Sequence, residues 1–85
     1  MKSIWLAEYG NNKIRVENYW FKGEKLYVND ELQHETLSFF TTNLTGHITN
    51  DKGEKEGIKV NLSGWFSIGC RLFIDDKKVA TKQIE

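Results

Sequence analysis

The chain repeats itself. Ile14-Arg15-Val16, Trp20-Phe21 and Leu26-Tyr27-Val28-Asn29-Asp30 return as Ile58-Lys59-Val60, Trp65-Phe66 and Leu72-Phe73-Ile74-Asp75-Asp76. The separation between matching positions drifts only from 44 to 45 to 46, so two one-residue slips bring the halves into register. Within each block apolar residues alternate with polar or aromatic ones, the period of a strand with one buried face. A four-stranded meander cannot hide such a face alone, but two packed together can. The expected fold is therefore all-β: an antiparallel β-sandwich of about eight short strands built from two similar four-stranded halves. One domain covers residues 1–85, with the repeat running over 1–40 and 44–85.

No proline occurs, so every backbone N–H is available to a ladder. Residues 4–9, 13–18 and 25–28 read as strands, separated by Gly10-Asn11-Asn12 and Lys22-Gly23-Glu24. Asn29-Asp30 is a tight hairpin signal, because both residue types tolerate positive φ. Residues 31–42 are expected to form a strand. Asp30 as a cap and the spacing of Leu32, Thr36 and Phe40 leave a helix as the alternative. The second half follows the same order, with strands over 44–49, 58–62, 70–74 and 78–81.

Twelve basic and twelve acidic residues cancel, and the pI is about 6.7. A neutral chain lacks the overall charge of a nucleic-acid binder, so no nucleic-acid partner is expected. No apolar run approaches a membrane span or a signal peptide, and no membrane partner is expected. A single cysteine, Cys70, cannot form an internal disulfide, which fits a reducing, cytoplasmic setting. The sequons at Asn43 and Asn61 are then idle matches.

The two Trp-Phe pairs are expected to plug the core, one from each half. Their other reading is an exposed tryptophan platform in a carbohydrate-type ligand-binding sandwich. If Leu26, Val28, Leu72 and Ile74 face inward, Tyr27 and Phe73 face outward, and Trp5 does so between Ile4 and Leu6. Trp5, Tyr27 and Phe73 are thus the candidate interaction surface. The charged loop 50–57 reads as a solvated hairpin tip, since Lys52 and Lys55 interrupt any calcium pattern. His34 and His47 have no metal-ligand spacing. Cys70 begins an apolar strand, where a free thiol behaves as a small hydrophobe. No catalytic, metal or cofactor residues emerge, so the protein is expected not to be an enzyme.

Lys13-Ile14-Arg15-Val16, Gly23-Glu24-Lys25-Leu26-Tyr27-Val28-Asn29, Gly64-Trp65-Phe66 and Cys70-Arg71-Leu72-Phe73-Ile74-Asp75-Asp76-Lys77-Lys78 together resemble one domain of the Fas apoptotic inhibitory molecule family. The resemblance covers about residues 13–80. The family's usual glycine in the first hairpin turn is replaced here by Asp30-Glu31. The resemblance implies an antiparallel β-sandwich without catalytic residues that binds other proteins. A small protein–protein interaction module, pairing with a protein partner or with itself as a homodimer, is the expected function.

Overall fold

The computed structural model describes residues 2–19, 22–37, 42–64 and 68–85, and within them the regular structure is entirely β. β1 (Lys2–Tyr9), β2 (Asn12–Tyr19), β3 (Gly23–Val28) and β4 (Glu31–Thr36) form one antiparallel meander. β5 (Thr42–Thr49), β6 (Lys55–Ser63), β7 (Gly69–Ile74) and β8 (Lys77–Val79) form a second. Ala80 and Thr81 then carry the chain to β9 (Lys82–Gln83), which adds to the free edge of β1. The sheets have the orders β4-β3-β2-β1-β9 and β5-β6-β7-β8.

The alternation places one apolar row of each half inside. Ile14, Val16, Leu26 and Val28 meet Leu44, Ile48, Ile58, Val60, Leu62, Leu72 and Ile74 in one cluster. Val16, Val28, Val60 and Ile74 are 1%, 6%, 1% and 0% exposed, so each half supplies the apolar partner that the other lacks. At about 1.5–3 kcal/mol for each fully buried aliphatic side chain, this shared interface is the main source of stability.

The repeat extends to single hydrogen bonds. Asn29 donates its N–H to the Lys13 carbonyl at 2.8 Å, and Asp75 donates to the Gly57 carbonyl at 2.9 Å, the matching positions of the second half. Both β3–β4 and β7–β8 turn through two left-handed residues. Asn29 and Asp30 have φ of 51° and 67°, Asp75 and Asp76 of 52° and 61°. Two left-handed residues make the type I′ turn, whose twist matches the strands it joins.

The sheets are clasped along β4 and β5. Gln33 accepts the His47 N–H at 2.8 Å and donates to the His47 carbonyl at 3.0 Å. Its amide thus occupies the place of the peptide group that a further strand would bring. His34 Nδ1 accepts the Thr45 N–H at 2.9 Å. These side chains occupy backbone groups that a bare edge would offer to another chain. Gly46 makes the approach possible, since a Cβ there would lie 2.9 Å from Leu26 Cδ2 and overlap the Gln33 amide oxygen.

The expected count of about eight strands holds: among the described residues the two meanders supply eight, and the two-residue β9 is added through backbone pairing with β1. Two expectations need revision. The segment 31–42 is a strand and not a helix over Glu31–Thr36, but it is not a strand throughout: Leu37 lies beyond β4, residues 38–41 lie outside the described residues, and Thr42 belongs to β5. Trp5 is not on the surface but 4% exposed in the core, facing Val16 across the ladder. Ile4-Trp5-Leu6-Ala7 is apolar on both faces, so alternation does not choose a side; burying the indole removes the most apolar area from water. The Trp20-Phe21 and Trp65-Phe66 pairs lie outside the described residues.

Candidate functional site

The outward strand positions of the two sheets carry the same three-part arrangement. On the five-stranded sheet, Arg15 stacks over Tyr27 at 4.3 Å and pairs with Asp30 of the turn at 2.7 Å. On the four-stranded sheet, Lys59 lies beside Phe73 in the ladder and pairs with Asp76 of the equivalent turn at 3.1 Å. Cation, ring and carboxylate occupy matching places in the two halves. Tyr27 and Phe73, expected on a common surface with Trp5, therefore sit on the outer faces of different sheets, and Trp5 on neither.

The flanking positions differ in character. Across the five-stranded sheet, the register puts Leu6, Arg15, Tyr27 and Leu32 in one row. Leu6 and Leu32 are 39% and 49% exposed, and Ile84 of the β9 segment is 48% exposed. Arg15 is held from three sides, because it also bonds Glu17 at 2.7 Å. Its hydrogen bond to Asp30 and the Glu17 charge keep the guanidinium firmly protonated. Tyr19 bonds the same Glu17, which raises the phenol pKa, and Lys25 lies over the Tyr19 ring at 5.7 Å. This is a rigid polar lattice with aliphatic side chains at both ends.

Across the four-stranded sheet the matching row reads Thr45, Lys59, Phe73 and Lys78. Leucines have given way to a hydroxyl and a second ammonium, and Asn61 stands where the first half has Glu17. Asn61 donates to Asn43 at 3.0 Å across the ladder. Around Phe73 lies a hollow of about 300 Å³ edged by Asn43, Thr45, Lys59 and Asn61. Sequence reasoning picked out Phe73 but not the cations around it, because it weighed the sum of charges and not their distribution between sheets.

The other candidates are tied into the fold. Cys70 points inward against Leu62, and burial pushes its thiol up to about 12, so it is no thiolate nucleophile near neutral pH. His34 and His47 flank the β4–β5 clasp described above. A polar cleft of about 320 Å³ opens between the Gly10 turn and the loop after β5. Its side chains bind each other across the sheets: Tyr9 donates to Glu56 at 3.3 Å and Asn11 to Asp51 at 3.4 Å. The Glu56 charge raises the Tyr9 pKa. Trp5, being buried, offers no platform to a sugar. In comparisons with known proteins, no family model, no curated protein and no solved structure matches this chain.

Proposed function

We propose that the protein is a non-enzymatic protein-interaction module that binds through the outer face of the five-stranded sheet and pairs there with a second copy of itself. The observation that supports this is the row Leu6, Arg15, Tyr27 and Leu32, with its leucines 39% and 49% exposed at either end. Tyrosine and arginine are the residue types that dominate binding hot spots. Arg15 is already pinned by Asp30, Glu17 and Tyr27, so little side-chain freedom remains to be lost on docking. A cytoplasmic setting and a role like that of the Fas apoptotic inhibitory molecule family belong to this same proposal.

Sedimentation velocity over a concentration series tests it. The parent protein should shift from monomer to dimer as concentration rises, and Leu6→Asp combined with Leu32→Asp should remain monomeric with an unchanged melting temperature. A parent that stays monomeric at millimolar concentration overturns the pairing, as does a double variant that dimerises like the parent.

A further inference from the structure

We propose that the outer face of the four-stranded sheet binds single-stranded nucleic acid, seating one base against Phe73 and phosphates on Lys59, Arg71 and Lys78. This face is separate from the one assigned to protein contact and does not depend on that assignment. The zero net charge of the chain conceals an uneven distribution. Alternation turns Lys55, Lys59, Arg71 and Lys78 outward from β6, β7 and β8. Among the described residues, no outward strand position of this sheet holds a carboxylate. The nearest, Asp76, sits in a turn and bonds Lys59 with both side chains open to water, 69% and 81% exposed. Such a pair is worth about 0–1 kcal/mol, so a phosphate displaces Asp76 readily.

Cations alone would suit any polyanion. What selects a nucleobase is the ring between them. The register Lys59, Phe73, Lys78 sets one ammonium on each side of Phe73, on neighbouring strands about 4.8 Å apart. Arg71 lies two residues along the same strand, about 7 Å away. The hollow of about 300 Å³ beside the ring is walled almost entirely by apolar surface, which suits the flat face of a base, while the Asn43 and Asn61 amides bond each other at its rim. Single-strand binders combine a stacking aromatic with flanking cations in this way. An acidic peptide has no flat ring for the hollow. A bilayer calls for projecting apolar side chains, whereas Phe73 is half-buried within the face. Duplex DNA keeps its bases paired and stacked on one another, leaving no free base face for Phe73 to stack on.

Fluorescence anisotropy with a labelled oligothymidine of about twelve nucleotides tests the proposal. Saturable binding is expected at low salt, weakening with a log–log salt slope of about −2, as three phosphate contacts at ~0.7 each imply. Phe73→Leu should weaken binding about tenfold or more with the slope unchanged. Lys59→Gln and Arg71→Gln should each flatten the slope by about 0.7. Lys13→Gln, on the opposite sheet, should leave binding as it is. Thermal melts of each variant establish that it is folded. No saturable binding at low salt overturns the proposal. So does binding of polyglutamate, heparin, anionic vesicles or duplex DNA as tight as that of the oligothymidine, or binding indifferent to Phe73.

Discussion

Substituting Gly46 by alanine probes the joint that holds the two sheets together. The new methyl would stand 2.9 Å from Leu26 Cδ2 and overlap the Gln33 amide oxygen. Carbon atoms prefer about 3.5–4.0 Å, so one neighbour must move. Leu26 is 0% exposed and has nowhere to go without disturbing the core, a displacement that costs roughly 1–3 kcal/mol. Gln33 retreats more easily but gives up both hydrogen bonds to His47. At a solvated edge these are worth about 0.5–1 kcal/mol each. The alanine returns about 0.4–1 kcal/mol by restricting the unfolded chain. With both neighbours displaced, the net loss is about 1–4 kcal/mol, which lowers the melting temperature of a domain this size by about 5–30 °C. Circular dichroism melts with urea titrations measure it. A double-mutant cycle sharpens the test: in a Gln33→Ala background the penalty of Gly46→Ala should fall by about 1 kcal/mol, because one obstacle is gone. A Gly46→Ala protein that melts with the parent, or a penalty identical in both backgrounds, refutes the clasp.

Leu26→Ala empties a fully buried site and should cost about 2–5 kcal/mol, read as a lower urea midpoint. Gly23 has φ of 104° and faces the Thr36 carbonyl where a Cβ would be; Gly23→Ala should lose at least about 2 kcal/mol, and a neutral result would mean the β3–β4 pairing begins elsewhere. Asp76→Gly relieves a left-handed residue at φ 61° and gives up only an exposed ion pair. A rise of a few degrees in melting temperature is expected for it, about 0.5–1 kcal/mol. Cys70 should resist thiol labelling in the native protein and react in urea. Its raised pKa means the folded state holds the thiol proton longer than the unfolded chain does. Its contribution is complete below the ordinary thiol range near pH 8.5 and fades as pH climbs toward the folded value, so Cys70→Ala should lose stability less steeply on the alkaline side.

Much of the architecture was legible beforehand. Ile14/Val16 against Ile58/Val60, and Leu26/Val28 against Leu72/Ile74, named the inner rows; Asn29-Asp30 marked a tight hairpin turn, and the repeat put Asp75-Asp76 in the matching place, while the I′ geometry of both came from the structure. These are local facts: alternation sets which face is oily, and side-chain chemistry sets which residues bear positive φ. The placement of the three candidate surface residues was legible only in part. Tyr27 and Phe73 do lie on outer faces, but on two different ones, and Trp5 lies inside.

Alternation along a strand fixes relative direction and nothing more. Which way Ile4-Trp5-Leu6-Ala7 turns depends on the β1–β2 register and on the depth of the core it meets. That Gln33 and His34 close the β5 edge depends on contacts between strands that only packing brings side by side. The separation of a neutral chain into a basic face and one of mixed charge flanked by leucines follows from how the halves assemble. The sequence by itself determined a duplicated, two-layered β fold, because strand period and turn chemistry act over a few neighbours. Only the tertiary structure decided which residues share a surface, because that is settled between residues some forty positions apart.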